Sequence, residues 1–323
     1  TGDPQITYFK VVYRRHTNFS MECIEQTFNG TPAKNSKVSC TISRNGDLIG
    51  AMHLAIPLDD TNTGGGAVAH DNFAAFVSEI EVEIGGQKID KHYGDWLDIW
   101  YDLTTGQDKA KSKLLLADAK VDTDGKSYIP LQFWFNRNVG LALPLIALQY
   151  HEVKVNITFP NPGITDINFG AAQLWVDYIY LDTEERKRFA QMSHEYLIDQ
   201  LQFPGDEAAG TKFRLNFNHP VKELVWNVAT PSPIRTWKLM LNGHDRFAAR
   251  EETYFTQLQK YYHHSVIQDH GGSVCVYSFS LRPEEHQPSG TCNFSRIDNA
   301  TLTCDGAATG VVKIWAVNYN VLR

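Results

Sequence analysis

Four stretches of the chain carry residue types that could do chemistry. Glu284-Glu285-His286 sets two carboxylates beside an imidazole, the pairing used in general acid–base work. Pro283 and Pro288 bracket the triplet, and no nucleophile or oxyanion motif surrounds it. The better reading is a rigid loop whose charges pair with arginines nearby or on a neighbouring subunit. His263-His264, with Asp269 and His270, could ligate a metal, but metal enzymes built on β-sandwiches need an HxH pair followed by a carboxylate. None of the 12 histidines forms one. The helical HExxH signature is also missing, because His151-Glu152 and His194-Glu195 lack the second histidine. The histidine cluster reads as a polar loop at a subunit contact. Asp122-Thr123-Asp124-Gly125 resembles the start of a calcium loop without its later ligands and closing glutamate, so a tight turn explains it. Gly64-Gly65-Gly66 lacks the Lys and Ser/Thr of a phosphate cradle and reads as a surface loop. The sequence therefore points to no catalytic, cofactor or metal site.

The elements that would position these residues are mostly strands. Thr7–Tyr13 is aromatic and β-branched. Val38, Cys40 and Ile42 alternate with polar residues, and Asn45-Gly46 has the composition of a tight hairpin turn. Ile80, Val82 and Ile84 alternate with glutamates up to Gly85-Gly86. Leu131, Phe133 and Phe135 share a face in an extended reading, and Val153 to Phe159 alternates until Pro160. Period-two runs separated by Gly, Pro and Asn imply an all-β sandwich or barrel. The clearest helix starts at Asp182 as N-cap, with Glu185 in capping-box position; Phe189, Met192 and Tyr196 follow at helical spacing.

An internal repeat sets the domain count. Lys37–Pro57 matches Lys212–Pro231, Ile80–Lys91 matches Trp237–Arg246, and Tyr128–Phe135 matches Val274–Leu281 in pattern. Val155–Phe159 then matches Ala300–Cys304, and Leu174–Leu181 matches Val312–Tyr319. The five pairs are collinear, so two similar β domains in tandem are expected: 1–182, a connecting helix over 183–199, and 200–323.

Composition narrows the function. A chain of 323 residues with 42% apolar and 21% charged residues is an ordinary globular protein. The net charge of −7 has the wrong sign for wrapping nucleic acid, and Arg186-Lys187-Arg188 is the one dense basic run. No apolar run approaches the roughly 20 residues of a membrane span; Val139–Tyr150 is too short and holds Pro144. Five cysteines without a CxxC argue against a disulfide framework or structural zinc and for buried, reduced thiols. Sequons stand at Asn18, Asn29, Asn156, Asn293 and Asn299, a mild excess over chance. The chain opens on Thr1 and not on Met, so it is expected to begin inside a longer product.

Several segments resemble the major capsid proteins of the nucleocytoplasmic large DNA viruses, the group of iridoviruses and phycodnaviruses. They are Gly2–Glu22, Ile84–Trp100, Asn136–Ile157, the block Leu281–Ala300 (LRPEEHQPSGTCNFSRIDNA) and the closing Ala316–Arg323. The resemblance implies two tandem jelly-roll β-sandwiches (a double jelly roll) and a pseudo-hexagonal homotrimer. It further implies a lattice of trimers in the virion capsid, with minor capsid proteins and an internal membrane nearby, assembled in the host cytoplasm. Family members usually run longer, with an N-terminal arm and larger outward loops. Within the block, Arg282, Glu284, Glu285, His286 and Arg296 are expected at a subunit interface, because an ordered loop of fifteen residues that gathers these charges exceeds what a hairpin needs. Two other classes remain open: a minor vertex subunit of the same fold, separated by its abundance in particles, and a carbohydrate-binding or carbohydrate-cleaving sandwich, which would need an aromatic platform or paired carboxylates across a cleft.

Overall fold

The computed structural model describes residues 8–11, 13, 15–58, 72–105, 126–161, 167–228, 232, 234–266, 274–308 and 310–323. Its described strands form four antiparallel sheets that pack as two sandwiches. In the first sandwich, one sheet runs in the order Phe19–Gln26, Gln173–Leu181, Leu48–Pro57, Lys126–Pro130. The facing sheet runs Phe28–Asn29, Lys37–Thr41, Val153–Thr158, Glu79–Ile84, Gln87–Tyr93. Leu54, Ile129 and Val176 from one sheet meet Val38, Val82 and Val155 from the other, all buried. Period-two alternation is the cause, since it sends every second side chain to one face.

The second sandwich repeats this order. Tyr196–Gln202, Val312–Leu322, Pro220–Val228 and Val274–Ser278 form one sheet. Gly210–Arg214, Ala300–Ala308, Thr236–Leu241 and His244–Asp245 form the other. Trp226, Cys275 and Ile314 pack there against Phe213, Trp237 and Leu302. All five stretches matched in the sequence occupy corresponding strands, and the residues that follow each matched hairpin are helical: Gly94–Thr104 in the first half, Tyr254–His263 in the second.

Four expectations need correction. Tyr8–Lys10 is a turn, and the first strand begins at Phe19. Tyr8 and Phe9 are 93% and 99% exposed. Asn45-Gly46 joins no hairpin, because the strands on either side lie in different sheets of the sandwich. Leu131, Phe133 and Phe135 are buried, but the strand ends at Pro130 and Trp134–Arg137 is a helical turn. The helix after Asp182 stops at Gln191, and Tyr196 opens the next strand. His194 supplies the stop: its Nε2 lies 2.7 Å from the Phe189 carbonyl, and its ring stacks on both Phe189 and Tyr196. Gly64–Gly66, Asp122–Gly125, Asp269 and His270 lie outside the described residues.

Gly94 is the most tightly enclosed of the described glycines. A Cβ there would stand 2.1 Å from the Val77 carbonyl oxygen and 2.6 Å from the Ala74 Cα, both backbone atoms that cannot yield cheaply. Gly94→Ala should therefore cost roughly 3 kcal/mol, the upper end of overpacking, read from urea midpoints at unchanged slope.

Candidate functional site

The helix Gly94–Thr104 joins the two sandwiches. It carries two apolar stripes. Leu97 and Tyr101 enter the first core. Trp96, Ile99, Trp100 and Leu103, at i, i+3, i+4 and i+7 spacing, cover the outer face of the second sandwich's sheet at Val225, Val274, Val276, Trp315 and Val317. Alternation explains why that face is apolar as well: Trp226 and Cys275 turn inward while their neighbours Val225, Val274 and Val276 turn out. An ion pair between Asp95 and Lys313 spans the seam. Asp98, buried, accepts hydrogen bonds from the backbone N–H groups of Phe73 and Ala74 at 2.9 and 3.2 Å, which fixes the helix to the loop beneath it.

A chain of charges continues along the seam. The Arg137 guanidinium lies 5.0 Å over the Trp100 ring and donates to Asp199 at 2.8 Å. Asp199 also pairs with Lys222 at 3.3 Å, whose side chain is 0% exposed. Lys222 donates to the Glu285 carbonyl at 3.3 Å and sits 4.8 Å over the Tyr319 ring. Burial pulls the Lys222 ammonium below its ordinary range, and Asp199 opposes that pull. The Tyr319 hydroxyl donates to the His286 carbonyl at 3.1 Å. Burial raises its phenol, with the Asp199 carboxylate adding to the effect.

The histidine pair and the acidic triplet meet in space, though not as a metal site. His264 is buried between two carboxylates: Nε2 lies 3.0 Å from Glu223, and Nδ1 lies 3.0 Å from Glu284. Glu284 also accepts from the Ser265 hydroxyl and backbone N–H. The expected polar loop is thus a buried charged clamp at His264, tying helix, strand and loop of one chain together, because both acids reach the ring within the subunit. Among the described residues no group of three or more His, Cys, Asp or Glu is arranged to hold a metal ion. Glu285 pairs with Arg282 at 3.0 Å on the surface, and His286 is partly buried. Arg296 lies in an exposed turn (Phe294–Arg296) capped by the Asn293 side chain. The sequence singled out Glu284 and His264 but missed Glu223 and Lys222. These two charges sit in an otherwise apolar strand, and only the fold shows what they face.

The His264 clamp implies a pH dependence. Burial alone would lower the imidazole, but Glu223 and then Glu284 overcome it and raise it to about 9. Glu284 moves the opposite way, its burial outweighed by His264 and Ser265, so its carboxyl falls below its ordinary value. A raised histidine stabilises fully below its unfolded value near 6.5 and loses that contribution as pH rises through about 9. The depressed carboxyl stabilises above its unfolded value and is lost as pH falls below it. His264→Gln should therefore flatten the alkaline limb of the melting-temperature profile between pH 7 and about 9. An unchanged limb would show that the ring is neutral.

Cys40, Cys275 and Cys304 are buried, whereas Cys292 is partly buried. Cys23 is exposed because its strand lies at a sheet edge.

Two sandwiches of one strand order, joined by a helix and a buried charge chain, define a protein of the double jelly-roll class. Residues 7–182 match the family model "Major capsid protein N-terminus", and residues 185–232 and 229–323 match "Large eukaryotic DNA virus major capsid protein". The chain belongs to the large eukaryotic DNA virus major capsid protein family; it is a structural capsid protein and not an enzyme. It is 51% identical to the major capsid protein of Pyramimonas orientalis virus, with 100% of this chain and 92% of that protein covered. It is 41% identical to that of Paramecium bursaria Chlorella virus 1, over 100% of this chain and 93% of the relative. Those alignments run over 367 and 412 positions, so both relatives carry internal segments that these 323 residues lack. The solved PBCV-1 VP54 structure superposes with a TM-score of 0.83 at 38% identity, covering 98% of this chain and 97% of that one. The bacteriophage PM2 major capsid protein P2, at 9% identity and a TM-score of 0.57, shares the fold.

Proposed function

We propose that this capsid protein assembles as a homotrimer of pseudo-hexagonal outline whose copies tile the shell. The observation that carries this is the repeat of strand order in both sandwiches, since three chains then present six similar lobes. Division into 1–182 and 200–323 fits that scheme, with the connector of 183–199 cut short at its end because Tyr196 already opens a strand of the second sandwich. A fitting environment includes minor capsid proteins and an internal membrane, with assembly in the host cytoplasm. The net charge of −7 favours a shell that does not bind the genome directly.

The block from Arg282 to Arg296 is the proposed edge of the subunit contact. Glu284 is committed to His264 within its own chain, which leaves Arg282, Glu285 and Arg296 exposed for a neighbour, with His286 beside them. Light scattering across dilution tests the reading: the parent should hold the mass of three chains, and Arg282→Ala with Glu285→Ala should shift dissociation to higher concentration. A parent that is monomeric at every concentration overturns the trimer. A double variant that dissociates like the parent removes the block from the contact.

Asn18, Asn29, Asn293 and Asn299 are exposed and are the proposed glycan acceptors; peptide mass on virion-derived protein would read a sugar at each.

A further inference from the structure

We infer that one end of the first sandwich is a surface for an anionic lipid bilayer: Tyr8, Phe9, Val11 and Tyr13 enter the headgroup layer, and Lys10 and Arg15, with Lys187 and Arg188 beside them, meet its negative charge.

The aromatic opening stretch and the one dense basic run of the sequence come together at this end. Phe19, the first residue of its strand, stands opposite Leu181, the last residue of the neighbouring strand. The two strands are antiparallel, so the chain before Phe19 and the chain after Leu181 leave the sheet at the same end. The first is the stretch around Tyr8 to Tyr13. The second is the helix Thr183–Gln191, which carries Arg186-Lys187-Arg188. Phe189 roots that helix on the small cluster of Leu48, Ala142 and Ile179. Arg186 is held by Asp47 at 2.9 Å, whereas Lys187 and Arg188 are exposed. The helix's own acids, Glu184 and Glu185, lie in its first turn, at the positive end of its dipole.

Apolar side chains scattered singly over a surface need no explanation, but a concentration of them does. Tyr8, Phe9, Val11, Tyr13, Phe19 and Met21 fall within one short stretch, and each is at least 51% exposed. The same stretch is segregated by charge. From Pro4 to Met21 no Asp or Glu occurs, in a chain that holds 37 of them against 30 Lys and Arg, while Lys10, Arg14 and Arg15 all fall inside it. Charges elsewhere on the acidic chain are screened from this end beyond about 10 Å. Tyr8–Lys10 is a turn, so its backbone is not self-satisfied and cannot enter hydrocarbon. At headgroup depth water still reaches the backbone, and that is where tyrosine rings settle. Weak apolar insertion joined to a basic patch is the pair of signals that holds a protein on a bilayer. A nucleic acid fits less well: it takes a basic groove with stacking rings, and Val11 and Met21 offer a base no ring.

Flotation of the full chain with vesicles of two parts phosphatidylcholine to one part phosphatidylserine tests this. The parent should float with them at low salt, less at high salt, and hardly at all with pure phosphatidylcholine. Lys10→Gln with Arg15→Gln should lower the partition coefficient about thirtyfold, roughly fivefold for each cation lost at the surface. Lys187→Gln with Arg188→Gln should lower it as well. Tyr8→Ser with Phe9→Ser should remove the binding that survives high salt. All six positions are exposed, so the melting temperature of every variant should match the parent's. A parent that floats with neither vesicle or equally with both, or variants that float like the parent, overturns the inference. So does a parent that ignores vesicles but binds duplex DNA, or one whose self-association is lost with Tyr8→Ser and Phe9→Ser; the stretch then serves nucleic acid or another copy of the chain.

Discussion

Asp199→Ala is expected to be among the most damaging single substitutions in the chain, costing about 3–5 kcal/mol and lowering the melting temperature by on the order of 10 °C. Asp199 neutralises Lys222, whose side chain is 0% exposed, and holds Arg137 against Trp100. Without the carboxylate, the Lys222 ammonium keeps the Glu285 carbonyl, the face of Tyr319 and the weaker pull of Glu223, and loses its paired counter-ion. A buried charge without its counter-ion is far less stable than either a complete pair or none. Asp199→Leu combined with Lys222→Met should accordingly recover most of the loss, because the pair's mutual attraction and its desolvation cost nearly cancel. A denaturant series on the single and double variants decides it. A double variant as unstable as Asp199→Ala would mean that Asp199 acts through something other than Lys222.

Trp315→Ala should cost about 3–5 kcal/mol as well, and through a different route. The ring is fully buried at the seam, 6.0 Å from Trp96 and 5.4 Å from Phe203, so its removal leaves a void between the sandwiches and not inside either one. Calorimetry should then show the two sandwiches melting separately, where the parent melts as one unit. Trp315→Phe is the control. The buried indole N–H has no hydrogen-bond partner, so the smaller ring should cost less than about 1.5 kcal/mol and keep a single transition. One sharp transition in Trp315→Ala would show that the seam does not couple the halves.

Much of the architecture could be read from the chain because a strand's side-chain period is a local property. The alternation around Ile80 and Val155 and the five collinear repeats depend on near neighbours, and all of them correspond to strands of the sandwiches. What could not be read depends on distance in space. Asn45-Gly46 has hairpin composition, yet sheet membership decides that the chain crosses between layers there. Phe133 and Phe135 have a strand's alternation, yet helical backbone from Trp134 buries them as well. The block around Glu284 stood out by composition. Its main partner, His264, is 20 residues away, and Glu223, on the other side of that ring, is 41 residues from it. The helix Gly94–Thr104 shows the same limit: only the fold reveals that it carries two apolar stripes and that one serves each sandwich.

Electron microscopy of the purified protein tests the central claim most directly. Class averages should show a three-chain particle with six similar lobes and a hexagonal outline, each lobe being one sandwich. Single two-lobed particles, or rings of any number of chains other than three, would contradict it.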